Sequence, residues 1–148
     1  MATALFAGTF NPFTIGHASV IKRAIALFDK IIIAVGVNFD KQQESCPQER
    51  LAAIRSFCSR FPEGRLEVVS YGGEMTVDLA RRLGADCLLR GVRSVKDFEY
   101  ERDLADINRR LSGIETVILF SLPEHGFVSS SMVRELESYG CDVKPYIP

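Results

Sequence analysis

Ala4-Leu5-Phe6-Ala7-Gly8-Thr9-Phe10-Asn11-Pro12-Phe13-Thr14-Ile15-Gly16-His17 reads as a strand, a glycine-opened turn and the start of a helix. Ala4 to Ala7 is a compact apolar run of the kind a strand buried in a parallel sheet shows. From Ala18 onward Val20, Ile21, Ala24, Ile25, Leu27 and Phe28 recur at helical spacing, which puts His17 in the first helical turn. Backbone N–H groups there have no intrahelical acceptor and the helix dipole is positive. An anion docks favourably at such a point, and a histidine adds a donor.

Outward from this stretch, strand and helix patterns alternate without a linker, repeat or low-complexity tract, the signature of a parallel α/β sheet. Lys30 to Gly36 reads as a second strand. Ser45-Cys46-Pro47-Gln48 reads as a capping box opening a helix through Leu51, Ile54, Phe57 and Cys58, stopped by Phe61-Pro62-Glu63-Gly64. Leu66 to Ser70 is a third strand, and Thr76 to Leu83 a helix closed by Gly84. Cys87-Leu88-Leu89 is a short fourth strand, with Arg90 and Arg93 following it. A helix from about Phe98 to Leu111 comes next, then a fifth strand, Thr116 to Phe120, and a helix from Met132 to Tyr139 ended by Gly140.

At 148 residues and 47% hydrophobic the chain has material for one domain, 1–148, and too little for two ordinary ones. A net charge of -1 gives no general attraction for nucleic acid or anionic membrane, so any anion must be held by a local cluster. The four cysteines, Cys46, Cys58, Cys87 and Cys141, form no close pair, and the histidines are His17 and His125 alone. No zinc spacing follows, and the thiols read as reduced. No apolar stretch approaches the ~20 residues that span a bilayer, and a strand pattern follows Met1 directly. A cytoplasmic location is expected.

In an open parallel sheet the ligand lies beyond the carboxyl ends of the strands, where strand order reverses. The suspect polar residues fall there: Thr9 and His17 after the first strand, Lys41 after the second, and Met75 and Thr76 after the third. Arg90 and Arg93 follow the fourth, and His125 to Ser131 the fifth. An arginine behind a buried Leu88-Leu89 strand suits bidentate phosphate contact, although pairing with Asp97 or Glu101 can coexist with that. Ser129-Ser130-Ser131 read as a helix N-terminus. Capping explains one of them, and phosphate contacts are expected for the others.

Thr14-Ile15-Gly16-His17 resembles the nucleotidylyltransferase signature of threonine or histidine, any residue, glycine and histidine. Four further segments accompany it in order: Gly8-Thr9-Phe10 with Pro12, then Lys41, Arg90-Gly91-Val92-Arg93 with Phe98-Glu99-Tyr100-Glu101, and Val128-Ser129-Ser130-Ser131. That set is similar to the phosphopantetheine adenylyltransferases over nearly the whole chain. The resemblance implies a single-domain, Rossmann-like α/β fold with five parallel strands ordered 3-2-1-4-5 and helices on both faces. It further implies transfer of AMP from ATP, carrying magnesium, to 4'-phosphopantetheine, giving dephospho-coenzyme A and pyrophosphate. A homo-oligomer, a hexamer in the family, is implied as well.

Carried over residue by residue, His17, Thr9, Lys41 and Arg90 are the catalytic group. ATP is expected on Thr9, Phe10, His17, Gly91, Val92, Arg93, Glu101, His125, Gly126, Phe127, Val128, Ser129, Ser130 and Ser131. Thr9, Lys41, Met75, Thr76 and Arg90 are expected on the acceptor. No protein-held metal is expected. His125 stands where an aromatic is usual in the family, and Thr76 where leucine or methionine packs on the pantetheine arm, a contact Met75 can supply. Nicotinamide or nicotinate mononucleotide adenylyltransferases and cytidylyltransferases would share Thr14 to His17 and a serine-rich helix start. Lys41 and Arg90 with Phe98 to Glu101 argue against them. A nucleotide-sensing module without turnover is the rival of a different class, and intact His17, Lys41 and Arg90 count against it.

Overall fold

The computed structural model describes residues 2–37 and 47–148. Five parallel strands, β1 (Thr3–Gly8), β2 (Lys30–Gly36), β3 (Leu66–Tyr71), β4 (Cys87–Val92) and β5 (Glu115–Phe120), form one sheet in the order β3-β2-β1-β4-β5. The intervening helices are α1 (Ile15–Ala24), α2 (Pro47–Cys58), α3 (Thr76–Leu83), α4 (Val95–Ser112) and α5 (Ser130–Ser138). The expected α/β class and strand order are therefore found. The Ser45 and Cys46 end of the predicted capping box lies outside the described residues.

Successive side chains on a strand face opposite ways, and the two cores follow that alternation. Ala4, Phe6, Ile31, Ile33, Val35 and Leu89 pack with Val20, Ile21 and Ala24 of α1 and with Leu51, Ile54 and Phe57 of α2. Leu5, Ala7, Ile32, Ala34 and Leu88 face the other way, against Val77, Leu79 and Ala80 of α3. Helices thus cover both faces, which is why the central strands read as unbroken apolar runs rather than as alternating ones.

Two boundaries differ from the sequence reading. The apolar spacing continued the first helix to Phe28, yet it ends at Ala24. Arg65 donates to the carbonyls of Ile25 (2.6 Å) and Phe28 (3.1 Å), so a long-range partner takes up carbonyls that another turn of helix would use. The fourth strand runs to Val92 rather than stopping at Leu89, and Arg90, Gly91 and Val92 lie in it rather than after it. α1 crosses closely at Gly91: a Cβ there would sit 3.1 Å from the Val20 side chain, which would have to give by a few tenths of an ångström.

Strand order reverses between β1 and β4, and these two strands part early. β1 pairs with β2 from Thr3↔Lys30 to Gly8↔Val35, whereas its pairing with β4 covers only Ala4↔Cys87 and Leu5↔Leu88. Beyond Leu5 the strands diverge and open a crevice at their carboxyl ends, where a ligand of such a sheet lies.

Candidate active site

The turn after β1 is shaped by Phe10, whose φ of 48° puts a non-glycine residue in the left-handed region, and by a cis Asn11-Pro12 peptide bond. Burial of the Phe10 ring (2% exposed) offsets the local cost of that backbone. Arg50, itself buried on α2, donates to the carbonyls of Thr9 (2.7 Å) and Gly36 (3.2 Å), tying the turn to the end of β2. On the other side, Ser130 Oγ donates to the Pro12 carbonyl at 2.7 Å, and Arg134 donates to the Asn11 carbonyl.

Thr14 caps α1 reciprocally with His17. Its side chain accepts from the His17 N–H, and the Thr14 N–H donates to His17 Nδ1 at 3.0 Å. A ring nitrogen accepting from an amide carries no proton, so the neutral imidazole bears its hydrogen on Nε2. The ring stacks on Phe13 and meets Phe10 and Phe6 edge-on. Burial among these rings, helped by the charges of Arg90 and Arg93, lowers the His17 pKa from 6.5 to about 4. His17 is therefore a neutral Nε2–H donor near neutral pH.

A cleft of about 440 Å³ lies over this turn, lined by Gly8, Thr9, Phe10, Thr14, Gly16, His17, Arg90, Gly91, Arg93, Val128 and Ser129 to Ser131, with Phe6, Ala7, Val20 and Ser121. The N-termini of α1 and α5 both open into it. Ser129 Oγ caps α5 by accepting from the Met132 N–H at 3.1 Å, while the N–H groups of Ser130 and Ser131 lie in the first turn, without intrahelical acceptors. Two positive helix ends facing one space make a binding site for a polyanion. The Ser130 hydroxyl proton is committed to Pro12, so its reach toward an anion is through its backbone N–H.

A second cleft, of about 410 Å³, lies on the α3 and α4 side. It is lined by Leu5, Ala7, Tyr71, Glu74, Met75, Thr76, Leu88, Arg90, Tyr100, Glu101, Leu104, Ala105, Asn108 and Thr116. Arg90 borders both clefts. Its Nε and Nη2 donate to the two oxygens of Glu101 at 2.8 and 2.7 Å, and its Nη1 to the Ala7 carbonyl at 2.7 Å. That last bond occupies a carbonyl that β1 no longer shares with β4. Burial works against the Arg90 cation, but the bond to Glu101 and that carboxylate's charge outweigh it and raise the pKa above its usual value.

The structure thus brings Thr9, Phe10, His17, Gly91, Arg93, Val128, Ser129, Ser130 and Ser131 into the first cleft, and Met75 and Thr76 into the second. Five of the residues expected on ATP do not line the first cleft. Glu101, expected on the ATP side, lines the second cleft against Arg90. Val92 is buried and borders a shallow apolar depression with Val95, Phe98 and Phe120. His125 and Gly126, on and after the short 3-10 turn Pro123–His125, are absent from the lining of either cleft. Phe127 is exposed and turns its ring to Tyr146. Lys41 lies outside the described residues. Arg93, in turn, pairs with Asp97 at 3.2 Å, so the expected ion pairing coexists with a place in the cleft.

Sequence reasoning missed Arg50, Arg134 and the polar residues of the second cleft. Arg50 left a signal: it stands four before Ile54 and seven before Phe57, on the apolar stripe of α2, where a charge must have a buried acceptor. Tyr71, Asn108 and Thr116 left none.

A cytidylyltransferase-like family profile matches residues 5–136. Over 145 residues the chain is 48% identical to a phosphopantetheine adenylyltransferase of Porphyromonas gingivalis, covering 98% of this chain and 93% of that one. It is 47% identical to one of Bacteroides fragilis over 148 residues, 100% and 97% of the two. The chain belongs to the phosphopantetheine adenylyltransferase family. Among solved structures, a putative nicotinate-nucleotide adenylyltransferase from Vibrio parahaemolyticus superposes with a TM-score of 0.67 at 17% identity, over 99% of this chain and 87% of that one. A bifunctional NMN adenylyltransferase/ADP ribose pyrophosphatase from Francisella tularensis gives 0.72 at 13% identity, over 99% and 44%. At such identities these two show a shared fold. Family membership accounts for a sheet whose polar residues cluster at the carboxyl ends of its strands, and the two clefts give the adenylyltransferase chemistry a physical frame.

Proposed function

We propose that the protein transfers the adenylyl group of ATP to 4'-phosphopantetheine, forming dephospho-coenzyme A and pyrophosphate. The observation that carries this reading is Arg90 as the wall common to two clefts. One cleft faces two helix N-termini and suits a triphosphate; the other combines Leu5, Met75, Leu88 and Leu104 with scattered polar groups and suits an extended, partly apolar arm ending in a phosphate.

In this scheme a phosphate oxygen of the acceptor forms a bond to the α-phosphorus of ATP, and the bond from that phosphorus to the bridging oxygen of the leaving pyrophosphate breaks. The nucleophile is already an anion, so no side chain must remove a proton. The protein's task is to align two polyanions and stabilise charge on the transferring group. His17 Nε2–H and the free N–H groups of α1 and α5 serve the nucleotide, Arg90 and Lys41 the acceptor phosphate, and Thr9, which lines the first cleft, would contact both. Among the described residues no group of His, Cys, Asp and Glu side chains is arranged to hold a metal, and the first cleft's lining contains no carboxylate. That lining fits magnesium carried on the ATP phosphates, where the ion would reduce the triphosphate's charge.

Exposed apolar side chains along α4, Tyr100, Ile107 and Leu111, support a homo-oligomeric protein, a hexamer if it follows its family. No described helix is long and apolar enough to cross a membrane, and the substrates proposed are those of the cytoplasm. The test is pyrophosphate release from ATP and magnesium with a panel of acceptors. Phosphopantetheine is expected to be preferred, and preference for nicotinamide mononucleotide would replace this reading with its closest rival.

A further inference from the structure

Tyr71 ends β3 and Thr76 opens α3, and the turn between them, with Gly73 at a φ of 69°, sets both residues in the wall of the second cleft. Tyr71 shares with Val69 the face of the sheet that α3 covers. Its ring lies beside Gly36 at the end of β2, where a Cβ would sit 3.6 Å from the ring and 3.7 Å from the Gly8 carbonyl oxygen. The ring thus reaches from β3 across β2 toward the tip of β1, and from the other side Arg90 reaches the same tip through the Ala7 carbonyl. The Tyr71 hydroxyl meets Thr76 Oγ1 at 3.3 Å, and no other described residue bonds either oxygen. Two hydroxyls joined by one hydrogen bond keep one O–H and spare lone pairs. Such a half-buried pair, in a cleft that also holds Leu5, Met75 and Leu88, needs water or a ligand to complete it.

We propose that Tyr71 is a specificity-determining residue for the acceptor: its hydroxyl, held by Thr76, bonds the secondary alcohol of the pantoyl unit beside the phosphate. The inference rests on the phosphopantetheine reading above. With the phosphate on Arg90, only a methylene and a quaternary carbon separate the phosphate ester from that alcohol, so the alcohol enters the cleft near its Arg90 end. Tyr71 stands at that end. A phosphate only accepts hydrogen bonds and is best met by a cation, whereas an alcohol both donates and accepts. The Tyr71 and Thr76 pair has the same two-way capacity and no charge, which suits the alcohol and not the phosphate. A wall built to bond a substrate hydroxyl discriminates against an acceptor that lacks it, because the wall's own polar groups are then left incomplete.

The experiment compares wild type, Tyr71→Phe and Thr76→Val with two acceptors, 4'-phosphopantetheine and its analogue in which hydrogen replaces the pantoyl alcohol. The readout is the ratio of kcat/KM for the two acceptors, which a general weakening of the fold would not move. Wild type should favour phosphopantetheine about tenfold, the worth of one uncharged hydrogen bond. Tyr71→Phe should bring the ratio to about one by losing activity on phosphopantetheine alone, with KM for ATP within about twofold of wild type. Thr76→Val, which leaves the Tyr71 hydroxyl without its partner, should fall between. Phenylalanine keeps the ring beside Gly36, and valine alters the pair from its other side, so a variant that unfolds early in a thermal melt leaves the other to decide. A ratio of about one in wild type, or a wild-type ratio in Tyr71→Phe, would overturn the proposal while the functional reading stands. Wild type that releases no pyrophosphate with phosphopantetheine overturns both.

Discussion

At the scale of single residues, His17 carries the most information. Its backbone-fixed Nδ1 and aromatic surroundings make it a neutral donor, a state that costs the fold nothing at neutral pH and something in acid. The folded pKa of about 4 lies below the unfolded 6.5, so the unfolded chain takes up the proton first. Stability is unaffected above about pH 6.5 and falls as pH drops through the interval to about 4, by about 3 kcal/mol from this group at most. His17→Ala should be less stable than wild type at pH 7, with the gap shrinking by that order at pH 4.5. Urea denaturation of both proteins at both pH values measures it, since other titrations cancel in the difference. The same variant should lose about 10²- to 10³-fold in kcat with ATP affinity little changed, the loss of one transition-state donor. A loss confined to KM would make His17 a binding residue only.

At the scale of elements, the site is held by side chains reaching from one element to the backbone of another. Arg50 on α2 clamps Thr9 and Gly36, Ser130 at the start of α5 holds Pro12, and Arg90 on β4 holds Ala7 on β1. Each satisfies a carbonyl left over where regular pairing stops. Arg50→Met keeps the volume and leaves buried carbonyls without their donor. A loss of about 2 to 4 kcal/mol in unfolding free energy is expected, together with a fall in kcat as Thr9 is released. Arg50→Lys should recover part of both. Equal stability of Arg50→Met and wild type in denaturant titration would show that the clamp is dispensable.

At the scale of the whole molecule, the early parting of β1 and β4 creates two adjoining clefts, and Arg90 at their boundary couples them. Lys41→Ala and Arg90→Ala should each lower kcat/KM for phosphopantetheine about tenfold to a hundredfold, the worth of a charge-assisted contact. If both grip one phosphate, the double variant should lose less than the product of the two. Pantetheine lacking the phosphate should bind wild type and double variant alike. Measuring both acceptors against the four enzymes checks this, and normal phosphopantetheine binding by either single variant would place the acceptor elsewhere.

The sequence by itself determined the α/β class, five strands and their helices, and the carboxyl ends of the strands as the place where the polar residues gather. Those features rest on local patterns: the unbroken apolar runs of β1 and β2, the serine run Ser129 to Ser131 at the start of the last helix, and Gly84 with φ of 73° after α3. It also placed His17 in the first turn of its helix, because strand, turn and helix are contiguous there. Tertiary structure alone decided what each charged side chain faces. Whether Glu101 meets Arg90 or a nucleotide depends on how α4 crosses β4, and whether Arg50 is solvated or buried depends on where the carbonyls of Thr9 and Gly36 lie. Those partners are 11, 41 and 14 residues apart in the chain, and no local spacing encodes them. The end of α1 and the length of β4 were likewise set by distant groups, Arg65 and β5, which offer hydrogen bonds that a reading of propensity does not see.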